Sequence, residues 1–188
     1  MLNDGTVITG ASVSQILTEE LGTLKATIIN NIRATGQWAS GKTAASMAVM
    51  VSGSIGELVG RRAFGTLETG RRGGRVPRNF HNIIYDWMQA KGVHADPMPY
   101  KTSRPHKYTV EERSLNMAAG AIAHTIETTG TRLYKQGGRH DIYSDVIAEE
   151  VAELRKQLAV SVAETLSQTL SEGYKSHAIG DATYQHLN

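Results

Sequence analysis

The chain of 188 residues contains no cysteine. This absence excludes disulfide bonds, thiolate metal ligands and thiol nucleophiles, and it fits synthesis in a cytoplasm. Aromatic residues are few, at 6%, so Ala, Val, Ile and Leu must form most of any core. No apolar run approaches the ~20 residues that span a bilayer, and the N-terminal MLNDGTVITG lacks the basic and apolar regions of a signal peptide. We therefore expect no membrane partner and no export by a signal peptide.

The length and the hydrophobic content of 40% predict one domain over residues 1–188. Residues 1–11 and 173–188 have no clear periodicity, and we expect them to form extended arms around a body at 12–172. The first arm contains Thr6-Val7-Ile8-Thr9, a segment suited to adding to a sheet edge elsewhere.

Apolar residues at steps of three and four predict a first helix from about Ser12 to Ala34, and Ser12 with Gln15 has the spacing of a capping box. Thr43 to Ser52 alternates as a strand. With a turn at Gly53 and a second apolar stretch at Ile55–Val59, it predicts an antiparallel pair. The helical stripe comprises Val13, Ile16, Leu17, Leu21, Leu24, Ile28 and Ile32.

Two further helices are predicted, on either side of a connection at Gly92–Tyr108 that holds three of the four prolines. The first spans Asn79–Lys91, with Gly92 as its stop. The second begins at a capping box formed by Thr109 and Glu112 and ends at Gly130. The apolar face of the first comprises Phe80, Ile83, Ile84, Trp87 and Met88. That of the second comprises Leu115, Ala118, Ala119, Ile122 and Ile126.

The longest helical pattern runs from about Ser144 to Ser171. Its apolar stripe predicts either a core contact or, less often, a contact with another subunit. The stripe comprises Ile147, Val151, Leu154, Leu158, Val162, Leu166 and Leu170.

Residues 36–43, GQWASGKT, match the phosphate-binding pattern GxxxxGK[ST]. A true P-loop follows a strand and opens a helix, so that backbone N–H groups and the helix N-terminus face the phosphates. Here a helix is predicted before the match and a strand after it. Asp86, the best carboxylate for magnesium, falls on the polar side of a predicted helix. The context therefore argues against nucleotide binding, and we expect no cofactor.

The net charge is only +2, but charges are segregated along the chain. Residues 61–78 contain six arginines and one acid, Glu68, and residues 145–153 contain four acids and no base. Such segregation suits a nucleic-acid patch, complementary surfaces that meet across a subunit boundary, or two solvated faces. We predict partner contacts at Arg61, Arg62, Arg71, Arg72, Arg75, Arg78, Glu149, Glu150 and Glu153. RRGGRVPR at 71–78 is expected to be an exposed, flexible loop.

No pattern of catalytic residues stands out. The seven histidines are scattered without metal-ligand spacing. His140-Asp141 could orient a base, but no GxSxG-type serine motif of a hydrolase accompanies it. We therefore expect no metal site and no enzymatic activity.

Several pieces in order resemble the neck or tail-completion proteins of tailed bacteriophages, which form rings between portal and tail. They are T-G-x-x-x-S-G-K at Thr35–Lys42, LE-x-G-R at Leu67–Arg71, P-x-x-F at Pro77–Phe80, I-x-x-W-x-x-x-K-G at Ile84–Gly92, and A-x-A-I-A before G-T within Ala119–Thr131. The resemblance covers about Ser12 to Val146.

The resemblance implies an α+β fold, with a small antiparallel β-sheet packed by an N-terminal helix and two or three further helices. The long C-terminal helix, predicted from its period alone, extends past the part that resembles this family. The resemblance also implies a structural virion protein of the neck, synthesised in the host cytoplasm. Its partners would be copies of itself in rings of roughly six or twelve, the portal protein, adjacent neck or tail proteins, and packaged DNA passing without sequence readout. The alternatives are a P-loop nucleotide-binding protein and a small basic nucleic-acid-binding protein.

Overall fold

The computed structural model describes residues 10–102 and 106–185, and the side chains within 13–102 and 106–175. The predicted segment Thr6–Thr9 lies outside the described residues. Two compact units are present. The hairpin unit comprises Met1–Thr27, Ala48–Val59 and Asp145–Asn188, and the central unit comprises Ile28–Met47 and Gly60–Ser144. A single domain stays a prediction.

Helix α1 spans Gly10–Ala34 and confirms the first predicted helix. Four residues of its apolar stripe are buried, namely Leu17, Leu24, Ile28 and Ile32. The capping box at Ser12 is wrong, because the helix begins two residues earlier and Ser12 lies inside it.

Strands β1, Ala48–Ser52, and β2, Ile55–Val59, form the predicted antiparallel pair, with Val51 opposite Gly56. A Cβ built on Gly56 would lie 2.7 Å from Cδ1 of Leu21, so glycine lets β2 approach α1 closely. The hairpin therefore packs its half-buried face on the first half of α1.

The predicted strand from Thr43 is wrong before Ala48, because helix α2 occupies Lys42–Ala45. The Ala45 N–H donates to the carbonyl of Gly41, and the Met47 N–H to that of Ala44. Ala44 and Met47, three residues apart, are both buried. The segment fits a helical turn as well as an alternating strand, and burial of this pair accompanies the turn.

The core of the central unit lies between α4, Phe80–Ala90, and α5, Val110–Thr129, which confirm both predicted helices. The capping box is also confirmed: Thr109 Oγ1 accepts from the Glu112 N–H at 3.1 Å, and the Thr109 N–H donates to Glu112 Oε2 at 2.9 Å. The buried residues of this core are Phe80, Ile84, Met88, Ala119 and Ala123.

Three single turns of the central unit were not predicted from the sequence. They are a 3₁₀ turn at Arg62–Gly65, α3 at Thr66–Thr69 and α6 at Arg132–Lys135. Each is too short to show a period in the sequence.

Helix α7 spans Ser144–Gln185, so the predicted C-terminal arm from Gly173 is wrong. Its apolar stripe is not a buried core: Leu166 is 53% exposed and Leu170 is 73% exposed. A stripe on one helix face needs a partner along its whole length to be buried. The chain is α+β, with a two-stranded antiparallel sheet and helices, as the sequence predicts.

Candidate partner-binding groove

The arginine loop, residues 71–78, is held against the end of α5. The Arg71 N–H donates to Thr131 Oγ1 at 2.9 Å, and the Thr131 N–H donates to the Arg71 carbonyl at 2.8 Å. The Gly74 N–H donates to the Glu127 carbonyl at 2.6 Å. The loop therefore lacks regular structure, as predicted, but it is anchored by hydrogen bonds instead of being flexible.

Glycine is required where this loop meets the turn after α5. A Cβ on Gly73 would lie 2.8 Å from the Thr128 carbonyl oxygen, and a Cβ on Gly130 would lie 2.7 Å from the Arg71 carbonyl oxygen. Gly130 also has a φ of +84°, which disfavours other residues. The two backbones thus approach more closely than side chains permit.

The six predicted arginines do not share one role. The Arg71 guanidinium donates to the Arg75 carbonyl at 2.7 Å and lies 5.3 Å from the centre of the Phe80 ring. It is half-buried and helps to fix the loop. The other five, Arg61, Arg62, Arg72, Arg75 and Arg78, are exposed.

Four of the six predicted arginines line an open groove of about 1980 Å³ in the central unit, namely Arg61, Arg62, Arg71 and Arg75. Lys42, Arg132 and Lys135 bring the basic side chains to seven, whereas Asp86 is the only acidic one among the lining residues. Arg72 and Arg78 are not among the residues that line it. The groove therefore favours an anionic ligand or partner.

The groove also has an apolar wall from α4. Ile83 is 43% exposed and Trp87 is 42% exposed, and both line the groove. They belong to the predicted apolar face of this helix, but the part of that face that packs on α5 is narrower and comprises Phe80, Ile84 and Met88. Residues at four-residue steps, such as Ile83 and Trp87, share one side of a helix.

The predicted acidic contacts lie on α7 in the hairpin unit. Glu149 and Glu153 are exposed and Glu150 is half-buried. Lys156 Nζ lies 3.5 Å from Glu153 Oε2, an exposed pair of small energetic effect. The structure thus brings four predicted arginines together at one groove and places the acids in a different unit.

Glu68 is a buried residue that the sequence analysis did not single out. It is 2% exposed, and its Oε1 accepts hydrogen bonds from the N–H groups of Ile142, Tyr143 and Ser144 at 2.8, 2.6 and 3.0 Å. The Ser144 hydroxyl donates to Oε2. Burial raises the pKa of Glu68, but these hydrogen bonds outweigh it and hold the pKa below its usual value. Its place as the single acid in an arginine-rich segment was the available signal.

The octapeptide at residues 36–43 forms a turn after α1 and not a phosphate cradle. A helix enters it, as predicted, but the strand predicted directly after it is wrong, because helix α2 begins at Lys42. Gly36 and Gly41 have φ of +69° and +72°. A Cβ on Gly41 would lie 2.9 Å from the Trp38 ring, and the Arg33 guanidinium stacks 4.6 Å from the centre of that ring. Lys42 is exposed, as predicted.

Asp141 and His140, adjacent to each other in sequence, differ in their surroundings. Asp141 is paired with Arg139 through two hydrogen bonds of 2.5 and 2.6 Å, which lower its pKa. His140 beside it is exposed. Among the residues that the structure describes, no group of three or more His, Asp or Glu side chains could hold a metal ion.

Within residues 10–102 and 106–185, no helix is both long and apolar enough to cross a bilayer. Comparison of the chain with protein-family models, with curated protein sequences and with solved structures finds no match.

Proposed function

We propose that this chain is a structural protein of a tailed bacteriophage that forms a ring in the neck, between portal and tail. The observation that carries the proposal is the joint between Arg71 and Thr131. Two hydrogen bonds there connect the end of the LE-x-G-R piece to the G-T piece, sixty residues further along the chain.

Other pieces of the same resemblance meet nearby. Phe80, the end of P-x-x-F, packs in one core with Ala119 and Ala123 of the A-x-A-I-A helix. Ile84 and Met88 from the tryptophan-containing helix complete that core. Residues that are far apart in sequence and recur as a pattern are thus in contact, which supports a shared fold rather than a chance match.

The surfaces suit self-assembly. The central unit has 16 basic and 7 acidic residues, a net charge of +9, and the hairpin unit has 4 basic and 11 acidic residues, a net charge of −7. Opposite net charges on the two units favour contacts between unlike units of neighbouring copies. Such contacts close into rings when the rotation between copies allows it.

The two alternatives receive less support. A nucleotide-binding protein needs a strand before its P-loop, and here α1 precedes it. A nucleic-acid-binding protein fits the basic groove, where Trp87 also offers a ring on which a base can stack, but it leaves the acidic residues of the hairpin unit without a role.

Location in the virion tests the proposal. Antibodies against the purified protein should label particles at the junction of head and tail in electron micrographs. Purified portal should also bind the protein and give ring-shaped complexes. Label elsewhere on the particle, or none, together with absence of portal binding, would contradict a neck role.

A further inference from the structure

The groove of the central unit combines two features that constrain its partner. Its lining holds seven basic side chains against one acid, and its α4 wall presents Ile83 and Trp87 at 43% and 42% exposure. An aromatic residue beside arginines is typical of the residues that contribute most to protein interfaces. The fitting partner is therefore acidic and carries apolar groups between its charges.

The N-terminal part of α7 has this chemistry. Asp145, Glu149 and Glu153 lie at four-residue steps and are all exposed, so they form one acidic row. Ala148 and Ala152, also four residues apart, are exposed too. The same side of this helix therefore offers carboxylates and small apolar groups together.

The volume of this helical segment also fits the volume of the groove. A nine-residue helical segment is about 14 Å long and about 10 Å wide with its side chains, so it occupies roughly 1,100 Å³. The groove measures about 1980 Å³. It has room for the segment 145–153 and for part of the next turn.

We propose that the segment 145–153 of α7 of one copy docks in the groove of the next copy, so that copies associate head to tail. This deepens the proposed neck function and rests on it, because a head-to-tail contact is the kind that generates a ring. Arg61 and Arg75 face the acidic row, and Trp87 and Ile83 contact the apolar groups. Arg72 and Arg78, outside the groove lining, take no part.

The test uses charge reversal in the full chain. Arg61→Glu with Arg75→Glu reverses the groove, and Glu149→Lys with Glu153→Lys reverses the helix. Arg72→Glu with Arg78→Glu is the matched control, since it changes the net charge by the same amount, on the loop that also carries Arg75, without touching the groove lining. Sedimentation velocity at low salt over a range of protein concentrations measures self-association, and circular dichroism checks folding.

Each reversal alone should weaken association about 100-fold, because like charges then face each other. The control should stay near wild type. Mixing the two reversed variants should restore association, since each offers a face that complements the other. That recovery also shows that both variants are folded.

Three results would overturn the docking. They are a wild-type chain that stays monomeric at every concentration, reversals that leave association intact, or a mixture that does not recover. If the groove reversal instead abolishes binding to a duplex DNA probe and leaves self-association unchanged, the groove serves DNA. In each case portal binding and neck labelling still decide the proposed function separately.

Discussion

The carboxylate of Glu68 meets the start of α7 at Ser144, whose N–H donates to Oε1 at 3.0 Å and whose hydroxyl donates to Oε2. The N–H groups at the beginning of a helix have no partner within it, so an external acceptor stabilises them. Glu68, supplied from another part of the chain, is that acceptor for this helix.

We expect Glu68→Ala to destabilise the chain by about 3 kcal/mol, because it leaves buried N–H groups without an acceptor. Glu68→Gln keeps one oxygen and should cost less, about 1 to 2 kcal/mol. Urea unfolding measures both. The exposed Glu127→Gln serves as control, and equal effects for Glu68→Gln and Glu127→Gln would show that the buried carboxylate has no special role.

Stability should depend on pH through Glu68. The pKa of Glu68 is lowered in the folded state. The stabilisation of the fold by its ionised carboxylate is therefore fully present above the ordinary glutamate pKa and is lost as pH falls through the lowered pKa. The difference in melting temperature between wild type and Glu68→Gln should therefore shrink between about pH 6 and pH 3. A difference that stays constant or grows at acidic pH would contradict the hydrogen-bonded, ionised carboxylate.

Alanine substitutions at two glycines distinguish the cost of backbone strain from the cost of a steric clash. Gly130 and Gly137 have similar φ of +84° and +87°, but only Gly130 has atoms within 4 Å of a built Cβ. Gly137→Ala should cost about 1 kcal/mol from backbone strain alone, and Gly130→Ala should cost at least ~2 kcal/mol more because the arginine loop must move. Thermal unfolding measures both; equal costs would mean that the loop does not pack as described.

The capping box at the start of α5 allows a double-mutant cycle. Thr109→Ala should destabilise the chain by about 1 kcal/mol. Glu112→Ala should cost less, and the double variant should cost less than the sum, because the two side chains form reciprocal hydrogen bonds. Additive effects in urea unfolding would indicate that the two hydrogen bonds are independent.

The octapeptide around Lys42 should have no affinity for nucleotides. Isothermal titration of wild type and Lys42→Ala with ATP or GTP and magnesium should give no binding heat for either protein. Micromolar binding by wild type that Lys42→Ala abolishes would restore the P-loop interpretation.

Features with local causes were predictable from the sequence. The capping box needs only Thr109 and Glu112, the hairpin needs only alternation around Gly53, and α4 and α5 show their period over several turns. The single turns were missed because four residues carry no period. The exposure of Ile83 and Trp87 was not predictable, because an apolar pattern does not say how wide the buried face of a helix is.

The candidate groove was predictable only in part. The sequence singled out its arginines as a charged cluster, but it assigned them one shared role. Contacts between residues far apart in sequence give these arginines different roles. Arg71 is fixed beside Thr131 and Phe80. Arg75 lines the groove, whereas Arg72 does not.

The sequence by itself determined helices α1, α4 and α5, the hairpin, the glycine stops after α4 and α5, and the segregation of charge, since each depends on neighbouring residues or on composition. Only the tertiary structure decided that Glu68 is buried beneath the start of α7, that the arginine loop is anchored, and that basic residues line a groove with an exposed tryptophan. Those features depend on groups brought together from distant parts of the chain, and hydrophobic burial and hydrogen bonding of the whole central unit place them there.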